Sequence, residues 1–145
     1  MNTYLHEKAL MVKIPGRKMN RICLLEIGKD AIFLHCASLK TSIATLISSS
    51  WKGILRALLV SRIEKKLKTR TGRCETIIIP RGKIKAIHFS KTLEAEILKI
   101  ETRNGAYELW SPTGFKIEIE KIKEEMKKRD WGNSSLDNSL VVNSN

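Results

Sequence analysis

Apolar positions along the chain first fall in short runs, ALMVKI (9–14), RICLLEI (21–27) and AIFLHC (31–36), separated by Pro15-Gly16 and by Gly28-Lys29-Asp30. Runs of this length between turn formers predict three strands, the last two joined as a hairpin. The spacing then lengthens. Ile43, Leu46, Ile47, Trp51, Ile54, Ala57 and Leu58 share one arc of a helical wheel, with Ser49, Lys52 and Arg56 on the opposite one. Thr41 or Ser42 at its start and Gly72 at its end predict a helix over about 41–70, roughly 30 residues and about 45 Å long. Beyond Val60 the apolar positions Val60, Ile63 and Leu67 move to a different arc, which predicts a bend or a change of packing partner.

Extended patterns return downstream in ETIII (75–79), KIKAIHFS (83–90), EAEILKIET (94–102) and AYELWS (106–111). Period-two alternation supports strands here, and Asn104-Gly105 predicts a type I′ turn between the last two. Phe115, Ile119, Ile122 and Met126 then stand at i, i+4, i+7 and i+11, one face of a helix, although Ile117 breaks the stripe and leaves its first turn open to a strand extension. The tail WGNSSLDNSLVVNSN has four Asn, four Ser and no basic residue. That composition buries too little to offset the entropy of ordering, so 131–145 is expected to be a disordered polar tail, with LVV at most a docking handle.

The segment TIIIPRGKIKAIHFSKTLEAEILKIETRNGAYEL, followed by a charged helix, resembles the second half of pleckstrin-homology-like (PH-like) domains of the GRAM and the bacterial or archaeal kinds. The likeness lies in a strand ending in "IP", an I-x-x-I strand from Ile84 to Ile87, and the hairpin LKIETRNGAYEL; it is best over 75–129. It implies an α+β fold over 1–130, in which two antiparallel sheets pack face to face and the final helix plugs one open end. The helix at 41–70 becomes an insertion between strands 3 and 4. In members that bind phosphoinositides, the loop between the first two strands carries the basic residues that hold the phosphates; of the cluster Lys13, Arg17, Lys18 and Arg21, the residues Lys13, Arg17 and Arg21 resemble that arrangement, the alternative being a plain basic surface loop.

Charge narrows the partner. The net charge of +12 favours a polyanion. From Lys52 to Arg73 the cations Lys52, Arg56, Arg62, Lys65, Lys66, Lys68, Arg70 and Arg73 stand against Glu64 alone, whereas the last helix mixes its signs. A basic face beside a bulky apolar one carrying Trp51, Ile54 and Leu58 fits an anionic membrane surface, or the sheet of the domain itself. Nucleic acid fits the charge equally, but the basic half has no aromatic residue for stacking and no helix-turn-helix, RRM or zinc-finger pattern accompanies it.

Catalytic signals are absent from the sequence. There is no HExxH, CxxC, GxxxxGK[ST] or GxGxxG, and the carboxylates of the last helix interleave with lysines as surface ion pairs. A hairpin turning on Gly28-Lys29-Asp30 places Cys23 opposite His35, two soft ligands without a third, so no metal and no cofactor are expected. Three cysteines are an odd number, which argues against a disulfide framework and for a reducing, cytoplasmic setting, with peripheral membrane association as the extension. The sequence thus predicts a non-enzymatic binding or adaptor module for an anionic membrane surface or an acidic protein, with sequence-independent nucleic-acid binding as the alternative.

Overall fold

A computed structural model describes residues 3–42, 53–91, 93, 95–112, 117–131, 133–134 and 139–141. The protein is α+β and built on an antiparallel sheet. Its strands are β1 (Tyr4–Leu5), β2 (Leu10–Lys13), β3 (Arg21–Ile27), β4 (Ala31–Cys36), β5 (Glu75–Pro80), β6 (Ile84–Lys91), β7 (Glu96–Thr102), β8 (Gly105–Trp110), β9 (Asn133–Ser134) and β10 (Ser139–Val141). Helix α1 spans Gly53–Lys68 between β4 and β5, and α2 spans Ile119–Lys128 after β8. The sheet runs β5-β4-β3-β2-β8-β7-β6-β10-β9, with β1 added beside β3. The seven strands read from the alternation are all present; β1, β9 and β10 are additional.

The order is set by β2, which pairs β3 on one side and β8 on the other and so joins the two halves of the sheet. Leu25, Ile32 and Leu34 from one half and Ile87, Leu98 and Ile100 from the other belong to a single buried cluster, so the sheet curls round one core. Helix α2 closes that core with Ile119, Ile122 and Met126, the face expected from their spacing. Ile117 is buried ahead of the helix, and Phe115 lies outside the described residues. Glu118 takes a left-handed conformation at φ 60° and supplies no side-chain cap. The buried carboxylate of Glu96 on β7 does this instead, accepting from the Ile119 N–H at 3.0 Å.

The opposite face of the first half carries a second cluster. Met11, Ile22 and Leu24 on β2 and β3 meet Val60, Ile63 and Leu67 of α1. The arc of Val60, Ile63 and Leu67 thus packs on the sheet, and burial of each of these three side chains contributes about 1.5–3 kcal/mol. Residues 39–42 are also helical; 43–52, on which the expectation of one continuous 41–70 helix depends, lie outside the described residues.

Four expectations change. Cys23 faces Cys36, not His35, and the two sulfurs are bonded, with Cα atoms 4.0 Å apart; only Cys74 is a free thiol. His35 pairs with Leu24 on the opposite face, so the Cys23–His35 juxtaposition does not form and the odd count conceals a bonded pair. The β7–β8 hairpin turns on Arg103–Asn104, with Thr102 paired to Gly105. Neither turn residue has positive φ, so the turn is not type I′; Gly105, at φ 128°, opens β8 instead, where a side chain would meet the Pro15 ring. Finally, the segment expected to be disordered begins with Trp131, which is fully buried and donates from its indole N–H to the Gly28 carbonyl at 2.6 Å, and it adds β10 along β6.

Candidate anionic docking surface

The basic stretch is held against the sheet through its one acid. Glu64 accepts from the Ala9 N–H at 2.9 Å, at the break between β1 and β2 where the ladder to β3 is interrupted. The carboxylate is thereby turned toward the protein, while Arg62, Lys65, Lys66, Lys68 and Arg70 are exposed. Leu58 is 58% exposed and shares its helix line with Arg62 and Lys65, four and seven residues on. Ile54 stands one turn earlier on the same line. Trp51 and Lys52 lie outside the described residues, as do the side chains of Ile54 and Arg56.

The end of α1 is finished by its own polar residues. The Thr69 hydroxyl donates to Lys66 O at 2.7 Å, and Arg73 Nε donates to Leu67 O at 2.8 Å. Arg73 therefore caps the Leu67 carbonyl at the end of the helix. Gly72 lies so close to this turn that a Cβ would sit 1.9 Å from Lys66 O, which is why the returning chain needs glycine there.

The loop cluster divides in two. Arg17 donates to both oxygens of Glu75 at 2.8 Å, and Arg21 to Glu75 Oε1 at 3.0 Å. Arg21 is only 7% exposed and also donates to Ala37 O at 2.6 and 3.0 Å, so it is a structural arginine inside the end of the sheet. The hydrogen bond from Arg17, then the charges of both arginines, hold the Glu75 carboxyl down at about 2. Lys13 and Lys18 are exposed. Because Glu75 follows directly on Arg73 and Cys74, the loop cluster and the C-terminal end of α1 lie at the same end of the sheet. Sequence reasoning gave all four loop cations one role; the residue that separates them, Glu75, is remote in sequence and carries no local signal.

Other ionisable pairs serve the fold. His35 Nε2 lies 2.7 Å from Glu26 and Nδ1 3.0 Å from the Thr76 hydroxyl, while the ring stacks on Phe33. His88 meets Glu101 at 3.0 Å, and that contact lowers the Glu101 pKa. His6 is buried with Nδ1 3.0 Å from the Tyr4 hydroxyl and Nε2 unpartnered among the described residues; burial lowers its pKa. Burial, reinforced by Glu125, Glu118 and Glu7, pushes the Tyr4 phenol up to about 12. No helix among the described residues is long and apolar enough to cross a membrane. Neither the family models nor the curated proteins compared with this chain give a match.

Proposed function

We propose that the chain is a non-catalytic, PH-like binding module that docks on an anionic membrane surface through the outward face of α1. The observation that carries this is the division of α1. Its sole acidic side chain is spent on Ala9, its apolar residues Val60, Ile63 and Leu67 face the sheet, and the remaining face presents Leu58 above Arg62 and Lys65. An exposed apolar residue backed by cations on a helix lying flat on the domain is the arrangement that inserts at the headgroup boundary, each cation adding about 1 kcal/mol near anionic lipid. The PH-like reading is supported by the pairing of β2 with both β3 and β8, by α2 over the open core, and by the position of α1 between the third and fourth principal strands.

Co-sedimentation with phosphatidylcholine vesicles of rising phosphatidylserine content tests the reading. The wild-type chain is expected to bind in proportion to anionic lipid, the Arg62→Glu, Lys65→Glu, Lys68→Glu variant to lose binding with an unchanged melt, and Leu58→Ser to weaken it. Trp51 fluorescence should shift to the blue on vesicles if the apolar arc enters the membrane. Binding to duplex or single-stranded nucleic acid without vesicle binding would replace this reading with the nucleic-acid one; binding to neither would leave α1 as a packed helix whose charge serves solubility or an acidic protein.

A further inference from the structure

Beneath the last turn of α1 lies an open cleft of about 210 Å³, between the helix end and the chain that leaves β4 and enters β5. Its walls carry three hydroxyls, Ser38, Thr41 and Thr71, two cations, Lys66 and Arg73, and the thiol of Cys74, over the apolar floor of Ile63. Among the described residues no carboxylate lines it. We infer that this cleft is a binding site for a phosphate monoester group, borne by a lipid headgroup or by a small soluble molecule.

The chemistry of the lining selects the ligand. A phosphate monoester carries about −1.5 to −2 charge near neutral pH and three acceptor oxygens, which suits the two cations; the Ser38 hydroxyl already donates to Thr41, and Thr71, 3.1 Å from the Thr69 hydroxyl, donates to a ligand by turning its proton away from that contact. The site is also organised before a ligand arrives. Arg73 is held from its Nε by Leu67 O, which leaves its two Nη groups for an incoming oxygen. Ser38 is fixed by donating to the Thr41 hydroxyl at 2.7 Å and accepting from the Thr41 N–H at 3.1 Å. Gly72 brings the returning strand against the helix end and so sets the width of the cleft. At about 210 Å³ the space is below the roughly 300–1,000 Å³ of drug-sized pockets and admits a headgroup-sized polar fragment. The loop arginines that resemble a phosphate-binding set are instead neutralised, Arg17 and Arg21 both being held by Glu75. The inference rests on the docking reading only for a lipid source of the phosphate.

Cys74 gives a direct measurement, because it lines the cleft and Cys23 and Cys36 are bonded to each other. Its alkylation by iodoacetamide is to be timed in chloride and in inorganic phosphate at matched ionic strength. It is then timed on phosphatidylcholine vesicles containing phosphatidic acid or, at equal surface charge, phosphatidylserine. The expected result is a saturable, several-fold slowing by phosphate and by phosphatidic acid vesicles, weaker with phosphatidylserine, and lost in Lys66→Gln, Thr71→Val. Both substituted positions are exposed, and Arg73 is left in place to cap α1. Equal rates in chloride and phosphate, or protection that survives the double substitution, would overturn the site. Protection by soluble phosphate without vesicle binding upholds the site and removes the docking reading; vesicle binding with no protection of Cys74 does the reverse.

Discussion

One carboxylate oxygen of Glu64 accepts a 2.9 Å hydrogen bond from the backbone N–H of Ala9, 55 residues away in the chain. Ala9 lies in the break between β1 and β2, both of which pair β3, so its N–H has no place in that ladder. The helix supplies the missing acceptor, and the contact orients α1 as well as satisfying the strand.

Glu64→Ala leaves that buried amide without an acceptor and should lower stability by about 1–3 kcal/mol. Glu64→Gln retains an oxygen acceptor and should lose much less. Urea unfolding midpoints of the three chains decide the matter, and similar midpoints for wild type and alanine variant would remove the structural role given to this acid.

Trp131 fills the end of the core beneath the β3–β4 hairpin. Trp131→Ala should cost about 3–5 kcal/mol, as for other large buried aromatic residues, whereas removing the chain after residue 134 should leave a cooperative melt. Circular dichroism melts of both chains test this.

Two groups predict separate pH windows. Glu75 has its pKa lowered from 4.5 to about 2, so its contribution is fully present above 4.5 and is lost as pH falls through about 2. Glu75→Gln should therefore be less stable than wild type at neutral pH and show a shallower loss of stability over that acid range, read from urea midpoints across pH.

His6 acts at milder acidity. Burial lowers its pKa below 6.5, so the unfolded chain binds the proton more readily and stability falls as pH drops below 6.5. His6→Gln should abolish that part of the pH dependence without touching the Glu75 window. A wild-type profile flat between 6.5 and 4.5 would show that the ring is not held neutral.

The strands were legible because one face of each is buried and alternation records that directly. Register was not. The Gly28-Lys29-Asp30 turn suggested three connecting residues, yet Ile27 pairs Ile32, and this one-residue slip changes the partner of Cys23 from His35 to Cys36. Burial of Ile119, Ile122 and Met126 followed from helical spacing, but the cap of that helix, Glu96, comes from another strand and leaves no local trace. Trp131 was missed because the composition of the fifteen-residue tail outweighed its one large side chain. On the candidate surface the cations of α1 could be read, and so could the second apolar arc from Val60 to Leu67; the inward turn of Glu64 and the sequestration of Arg17 and Arg21 by Glu75 are tertiary facts.

The two rims of the sheet differ in what they offer to a neighbouring chain. Along β6 the rim is already occupied by β10 and ends in the two-residue β9, too short to template another strand. The six-residue β5 has a strand on one side only among the described residues, and Ile78 there is 58% exposed. Among the described strands, with the two-residue β1 also too short to template another, growth by edge-to-edge addition proceeds from β5 while β10 is in place, which limits such association to a closed pair. Loss of β10 bares the second rim, and the same molecule becomes a unit able to extend in both directions into a fibre.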